Sequence, residues 1–133
     1  MDNMCIYCNQ IDTLQHHFAE CKPIMQFWKS VKTWYLHNFE FLIDFGTLDI
    51  LLGIPDYEEN SEIKMLNFII LFGKAFIKSC KKASKPIHFY QFQISLKDRM
   101  TSEKYFSILN HKDHKNQEIW SQLAEFFFNH NSL

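Results

Sequence analysis

Residues 5–21 read CIYCNQIDTLQHHFAEC and gather three cysteines and two adjacent histidines. Cys5 and Cys8 stand two residues apart, a spacing that lets both sulfurs face one ion while backbone N–H groups turn toward them. Cys21 and either His16 or His17 supply a second pair of donors. Four S and N donors match structural Zn2+, which prefers a closed tetrahedron of such ligands. Thiolates disfavour hard ions such as Mg2+ and Ca2+. With four protein ligands no position is left for water, so a hydrolytic zinc site is not expected. Spacing leaves the histidine open: His16 gives C-x2-C-x7-H-x4-C, and His17 gives C-x2-C-x8-H-x3-C.

The remainder of the chain sets the frame for that cluster. Its 133 residues suffice for one domain with its own core, and 47% of them are apolar, with 14 Phe. Only three Gly and three Pro are present, too few turn-formers for a sandwich of many short strands. The fourth cysteine, Cys80, stands far from the other three, unlike the spread of a secreted disulfide framework. Met1-Asp2-Asn3-Met4 leads into the cluster without a basic segment or apolar run, so an intracellular setting (nucleus, cytoplasm or both) with reduced thiols is expected. The most apolar stretch, Met65–Gly73, lies between Lys64 and Lys74 and is too short to span a bilayer, so no membrane partner is expected.

Periodicity predicts an all-α fold, a helical bundle with an N-terminal zinc knuckle over 1–23 and helices over 24–133. Pro23 suits a first helical turn. From Ile24 to Phe39, apolar residues Phe27, Trp28, Val31, Trp34 and Tyr35 recur at helical intervals. Thr47–Leu52 reads as a short helix, and acidic PDYEENSE as a loop ending in an N-cap at Asn60 or Ser61. A long helix is expected over Glu62–Ala83, apolar nearly all round in its first half. Lys85 and Pro86 end it, and another follows over Ile87–Asn110. Residues 116–129 complete the set with Ile119, Trp120, Leu123, Phe126 and Phe127 turned inward.

Charge is segregated along the chain. Residues 1–63 carry three lysines against ten acidic residues, a balance of −7, whereas residues 64–115 carry ten lysines and Arg99 against three acids, a balance of +8. At about 100° per residue, Lys74, Lys78, Lys81 and Lys82 share a sector roughly 100° wide, opposite Phe72, Phe76 and Cys80. With Lys85 they form a stripe suited to a phosphate backbone. Lys greatly outnumbers Arg, which favours charge neutralisation over base readout. Four or five such contacts to single-stranded phosphates predict a salt slope near about −3. Tyr7 is a candidate for stacking on an unpaired base, whereas Phe18 is expected to pack the knuckle against Phe27 or Trp28. Cys80 reads as a buried thiol, and His111 and His114 offer only two donors in a loop. No Asp-Asp pair of the polymerase type, phosphate-cradling glycine loop or Ser, His and acid grouping occurs, so no enzymatic activity is expected of this chain.

The pattern C-x2-C-x3-acid-T-x2-H-x-F-x2-C followed by Phe-Trp, here Cys5, Cys8, Asp12, Thr13, His16, Phe18, Cys21, Phe27 and Trp28, resembles the C-terminal zinc-binding region of non-LTR (LINE-type) retrotransposon reverse transcriptases. The segments ILFGKAFIKSCKKASKP and FYQFQISLKDRMTSEKY look like the helical tail of the same proteins. The resemblance implies that His16 is the ligand and that His17 is free. Asn9 stands where that family commonly has Gly, and Asp12 where it more often has Glu. It further implies one structural zinc ion and a non-catalytic, largely sequence-independent grip on RNA, an RNA–DNA hybrid or target DNA, with the remainder of a reverse transcriptase as covalent partner. The alternative is a host-retained protein-interaction module in which zinc is purely structural.

Overall fold

A computed structural model describes residues 4–39, 44–56 and 60–110. Pro23 falls in the first turn of α1 (Lys22–Phe39), where its missing N–H costs nothing. The apolar residues of α1 bury one face: Ile24, Phe27, Trp28, Val31, Trp34 and Tyr35 are all in the core. The short α2 (Thr47–Leu52) follows as expected. α3 (Ser61–Lys82) starts at Asn60, whose side chain accepts from Glu62 N at 2.8 Å. α4 (Phe89–Asn110) contributes Phe92, Leu96 and Met100, successive residues of an i, i+4 ridge. Among the described residues there is no strand, only an isolated bridge between Met4 and Ile11. The architecture is all-α, a helical bundle with the Cys/His cluster at its N-terminal head. The helix expected over 116–129 lies outside the described residues.

Phe27 joins three helices. Its ring stacks on Phe76 of α3 at 5.8 Å and meets Phe92 of α4 edge-on at 5.1 Å. Beside it, the far end of the Trp28 indole abuts Gly73, where an added Cβ would come within 2.6 Å of the ring. That close approach explains a glycine in the middle of a long helix, where glycine is otherwise unfavourable. The apolar first half of α3 is not buried all round: Met65, Leu66, Ile69 and Ile70 are, but Leu71 points outward at 64% exposure.

The end of α3 sets up the head. Ser84 takes φ +54°, and Lys85 N–H donates back to Cys80 O at 2.9 Å, closing a Schellman-type cap before Pro86. The connection from α2 is held by Asn67, whose side chain pairs with both Ile54 N and Ile54 O at 2.7 and 2.9 Å. No helix among the described residues is long and apolar enough to cross a membrane.

Candidate metal centre

Two local structures bring four donors together. The first is a tight turn over Cys5–Gln10, in which Asn9 N donates to Cys5 O at 2.9 Å and Cys5 N to Gln10 O at 2.7 Å. Asn9 closes it at φ +61°, a left-handed conformation that glycine adopts freely and asparagine tolerates best among other residues. Asn9 therefore suits this position of the turn. The backbone of Tyr7, two residues on, lies where it favours the Cys5 thiolate.

The second is a π-turn, His16–Glu20, with Cys21 N donating to His16 O at 3.3 Å. On an ordinary α-helix, positions five apart differ by about 500°, so they lie about 140° from each other. The wider turn carries His16 and Cys21 toward the same side, and such turns recur at functional sites. Thr13 starts this segment by accepting from His16 N at 3.1 Å.

The ligand atoms of Cys5, Cys8, His16 and Cys21 all lie within 4.8 Å of one another. Cys5 Sγ is 3.7 Å from Cys21 Sγ, and Cys21 Sγ is 3.8 Å from Cys8 Sγ. A tetrahedron with Zn–S bonds of about 2.3 Å has sulfur–sulfur edges of about 3.8 Å. Cys8 Sγ and His16 Nε2 are closer, at 3.0 Å, a distance that opens slightly around an ion. Cys5, His16 and Cys21 are buried and Cys8 is the most accessible of the four. Burial and the crowding of Cys5 and Cys8 push the Cys21 thiol up to about 12. Burial also raises Cys5, but the Tyr7 N–H, His16 and the neighbouring thiols outweigh it and bring Cys5 to about 7. Three sulfurs this close ionise together only around a positive charge.

His17 is turned away from the cluster. Its Nδ1 meets Asp12 Oδ2 at 2.7 Å, and its ring stands edge-on to Phe18 at 4.6 Å. The geometry thus favours His16 over His17, as the resemblance implies. Phe18 O accepts from Trp28 Nε1 at 2.6 Å, so Phe18 and Trp28 join head to body through a backbone oxygen.

The lysine stripe is divided lengthwise. Lys81 and Lys74 lie along the edge of the sector that faces the head. Lys81 is buried; its Nζ reaches Asp12 Oδ1 at 3.2 Å and His17 O at 3.0 Å and sits over the Tyr7 ring. Lys74 is half-buried, donating to Leu51 O at 3.1 Å beneath the Phe18 ring. Lys81 is therefore a structural cation rather than part of an open stripe, because Asp12 and a carbonyl satisfy it inside. Lys78, Lys82 and Lys85 remain exposed. Tyr7 is likewise engaged: its hydroxyl donates to Lys85 O at 2.6 Å, and burial with the nearby Cys80, Cys5 and Cys21 pushes its phenol up to about 12. It braces the hairpin against the end of α3 and does not stand free for stacking. Cys80 is half-buried, and burial raises its thiol. His111 and His114 lie outside the described residues. The contact among Asp12, His17 and Lys81 was not legible in the sequence, since Lys81 looks like its neighbours in a run of lysines.

No protein-family model matches the chain, and no curated protein or solved structure is significantly similar to it.

Proposed function

We propose that this chain is a non-catalytic nucleic-acid-binding module that holds one structural zinc ion through Cys5, Cys8, His16 and Cys21, of the kind found at the C-terminal end of non-LTR retrotransposon reverse transcriptases. The observation that carries it is the convergence of these four donors, with the other residues of the motif each holding a place around them. Thr13 accepts from His16 N at the start of the segment, Asp12 grips Lys81, Phe18 O takes the Trp28 indole, and Phe27 fills the core. Zinc, when bound, supplies the positive charge that lets the buried thiols ionise together. The chain's own residues then fix the head on α3, leaving Lys78, Lys82 and Lys85 as the accessible cations of the stripe.

The grip on nucleic acid is electrostatic and blind to sequence. Three phosphate contacts on a single strand give a salt slope of about −2, shallower than the full stripe would give. Labelled RNA, single-stranded DNA and duplex titrated at several salt concentrations test this. Lys78→Glu with Lys82→Glu abolishes binding if the proposal holds; binding that ignores salt, or none at all, refutes it. The second reading, a protein-interaction module, is favoured by the exposure of Ile11, Leu14, Leu48 and Leu52, between 67% and 78%. It predicts that the double lysine variant keeps full function and that Leu48→Asp with Leu52→Asp does not.

A further inference from the structure

A cleft of about 490 Å3 opens where α3 ends and α4 begins. Resting on the nucleic-acid reading above, we infer that this cleft receives one unpaired base of a bound single strand, with its phosphate held by Lys85 and Lys82 at the rim. The volume falls within the range of small-ligand sites.

The lining supplies what a nucleotide needs. Phe76 and Pro86 provide apolar walls for a flat ring. Gln91 carries both a donor and an acceptor, and the Ser79 and Ser95 hydroxyls rotate to suit a partner, so any base edge finds complements. Among the described residues, no carboxylate lines the cleft. Lys85 stands at its edge, exposed, because only its backbone carbonyl is taken up by Tyr7. Lys82 lies about 60° round the helix from Ser79, on the adjoining ridge. The first turn of α4 also bears no acidic residue, and its free N–H groups add positive potential beside His88 and Gln91. Cations at the rim and an adaptable interior describe sequence-tolerant single-strand binding, in which the backbone is tracked by charge and bases are sheltered one at a time.

The test uses the full zinc-loaded chain with two fluorescein-labelled probes of equal length, oligo(U) and an abasic sugar-phosphate strand. Oligo(U) is expected to bind about tenfold more tightly than the abasic strand, the scale of one sheltered base. Ser79→Phe, which fills the cleft from an exposed position, should erase that difference and leave the salt slope of both probes unchanged. Equal binding of the two probes to the unaltered chain, or an undiminished preference in Ser79→Phe, overturns the cleft while leaving charge-driven binding in place. Failure of both probes to bind at low salt overturns the underlying reading instead. A second readout does not depend on a substitution: the Cys80 thiol lines the cleft, so oligo(U) should slow its carbamidomethylation by iodoacetamide severalfold, and the abasic strand should not. Equal labelling with either probe counts against the inference.

Discussion

Lys81 offers the sharpest separation between holding the fold and holding a ligand. Lys81→Met keeps the length and most of the aliphatic packing of the side chain but removes the ammonium. Two charge-assisted contacts vanish, to Asp12 Oδ1 at 3.2 Å and to His17 O at 3.0 Å, at a side chain only 5% exposed. Hydrogen bonds to charged groups contribute about 1.5–3 kcal/mol each, and the loss here is softened because Asp12 keeps His17 as a partner and is 17% exposed. A net destabilisation of roughly 2–4 kcal/mol is expected, with a fall in Tm on the order of 10 °C. Lys78→Met, at an exposed neighbouring position, should stay within about 0.5 kcal/mol of the parent. Urea unfolding in the presence of zinc measures both. RNA titration in the cold, where both variants are folded, should show the reverse order: Lys78→Met weakens binding and Lys81→Met does not. A Lys81→Met protein of parental stability that has lost RNA affinity would refute the placement of this ammonium inside.

Other outcomes follow from the same geometry. Gly73→Ala would ordinarily stabilise a helix by about 1 kcal/mol, but its Cβ meets the Trp28 ring at 2.6 Å, and that ring is pinned through its N–H to Phe18 O. A net loss of about 1–2 kcal/mol is expected in thermal melts. Ser84→Gly relieves the left-handed φ of +54° and should raise stability by about 1 kcal/mol, read as a higher urea midpoint at constant slope. Cys21→Ser should lose bound zinc by metal analysis and lose the ordered head, whereas His17→Ala should retain one equivalent; loss of zinc in the latter would move the ligand to His17.

Most of the helical framework was written plainly in the chain. The 3.6-residue rhythm of Phe27, Trp28, Val31, Trp34 and Tyr35 is strong, and Asn60 and Pro86 mark boundaries by local chemistry that tertiary contacts do not override. Four donors at chelating spacing were equally visible. The choice between His16 and His17 was not, because it depends on a π-turn, and nothing in HHFAEC distinguishes that turn from an α-turn. The division of the lysines was hidden for a different reason. Helical angle places Lys81 beside Lys78, but only the position of the head decides which edge of the sector is covered. Tyr7 resisted for the same cause: its partner, the carbonyl of Lys85, lies 78 residues on and is created by the cap at Ser84. Leu71 shows the opposite error, since an apolar run suggests burial even where one residue of it points outward.

The π-turn at His16–Glu20 takes up one residue more than an α-turn would use between His16 and Cys21. Removing one residue from it, such as Ala19, would leave a three-residue gap, and positions four apart on an α-helix differ by about 40°. Both donors would stay on one side, so the chelate would persist and the phase between the head and α1 would be kept. Wound as an α-helix at its present length, the same segment would hold the two donors about 140° apart. The extra residue is thus tolerated only because the turn widens, and the ion reports whether it has.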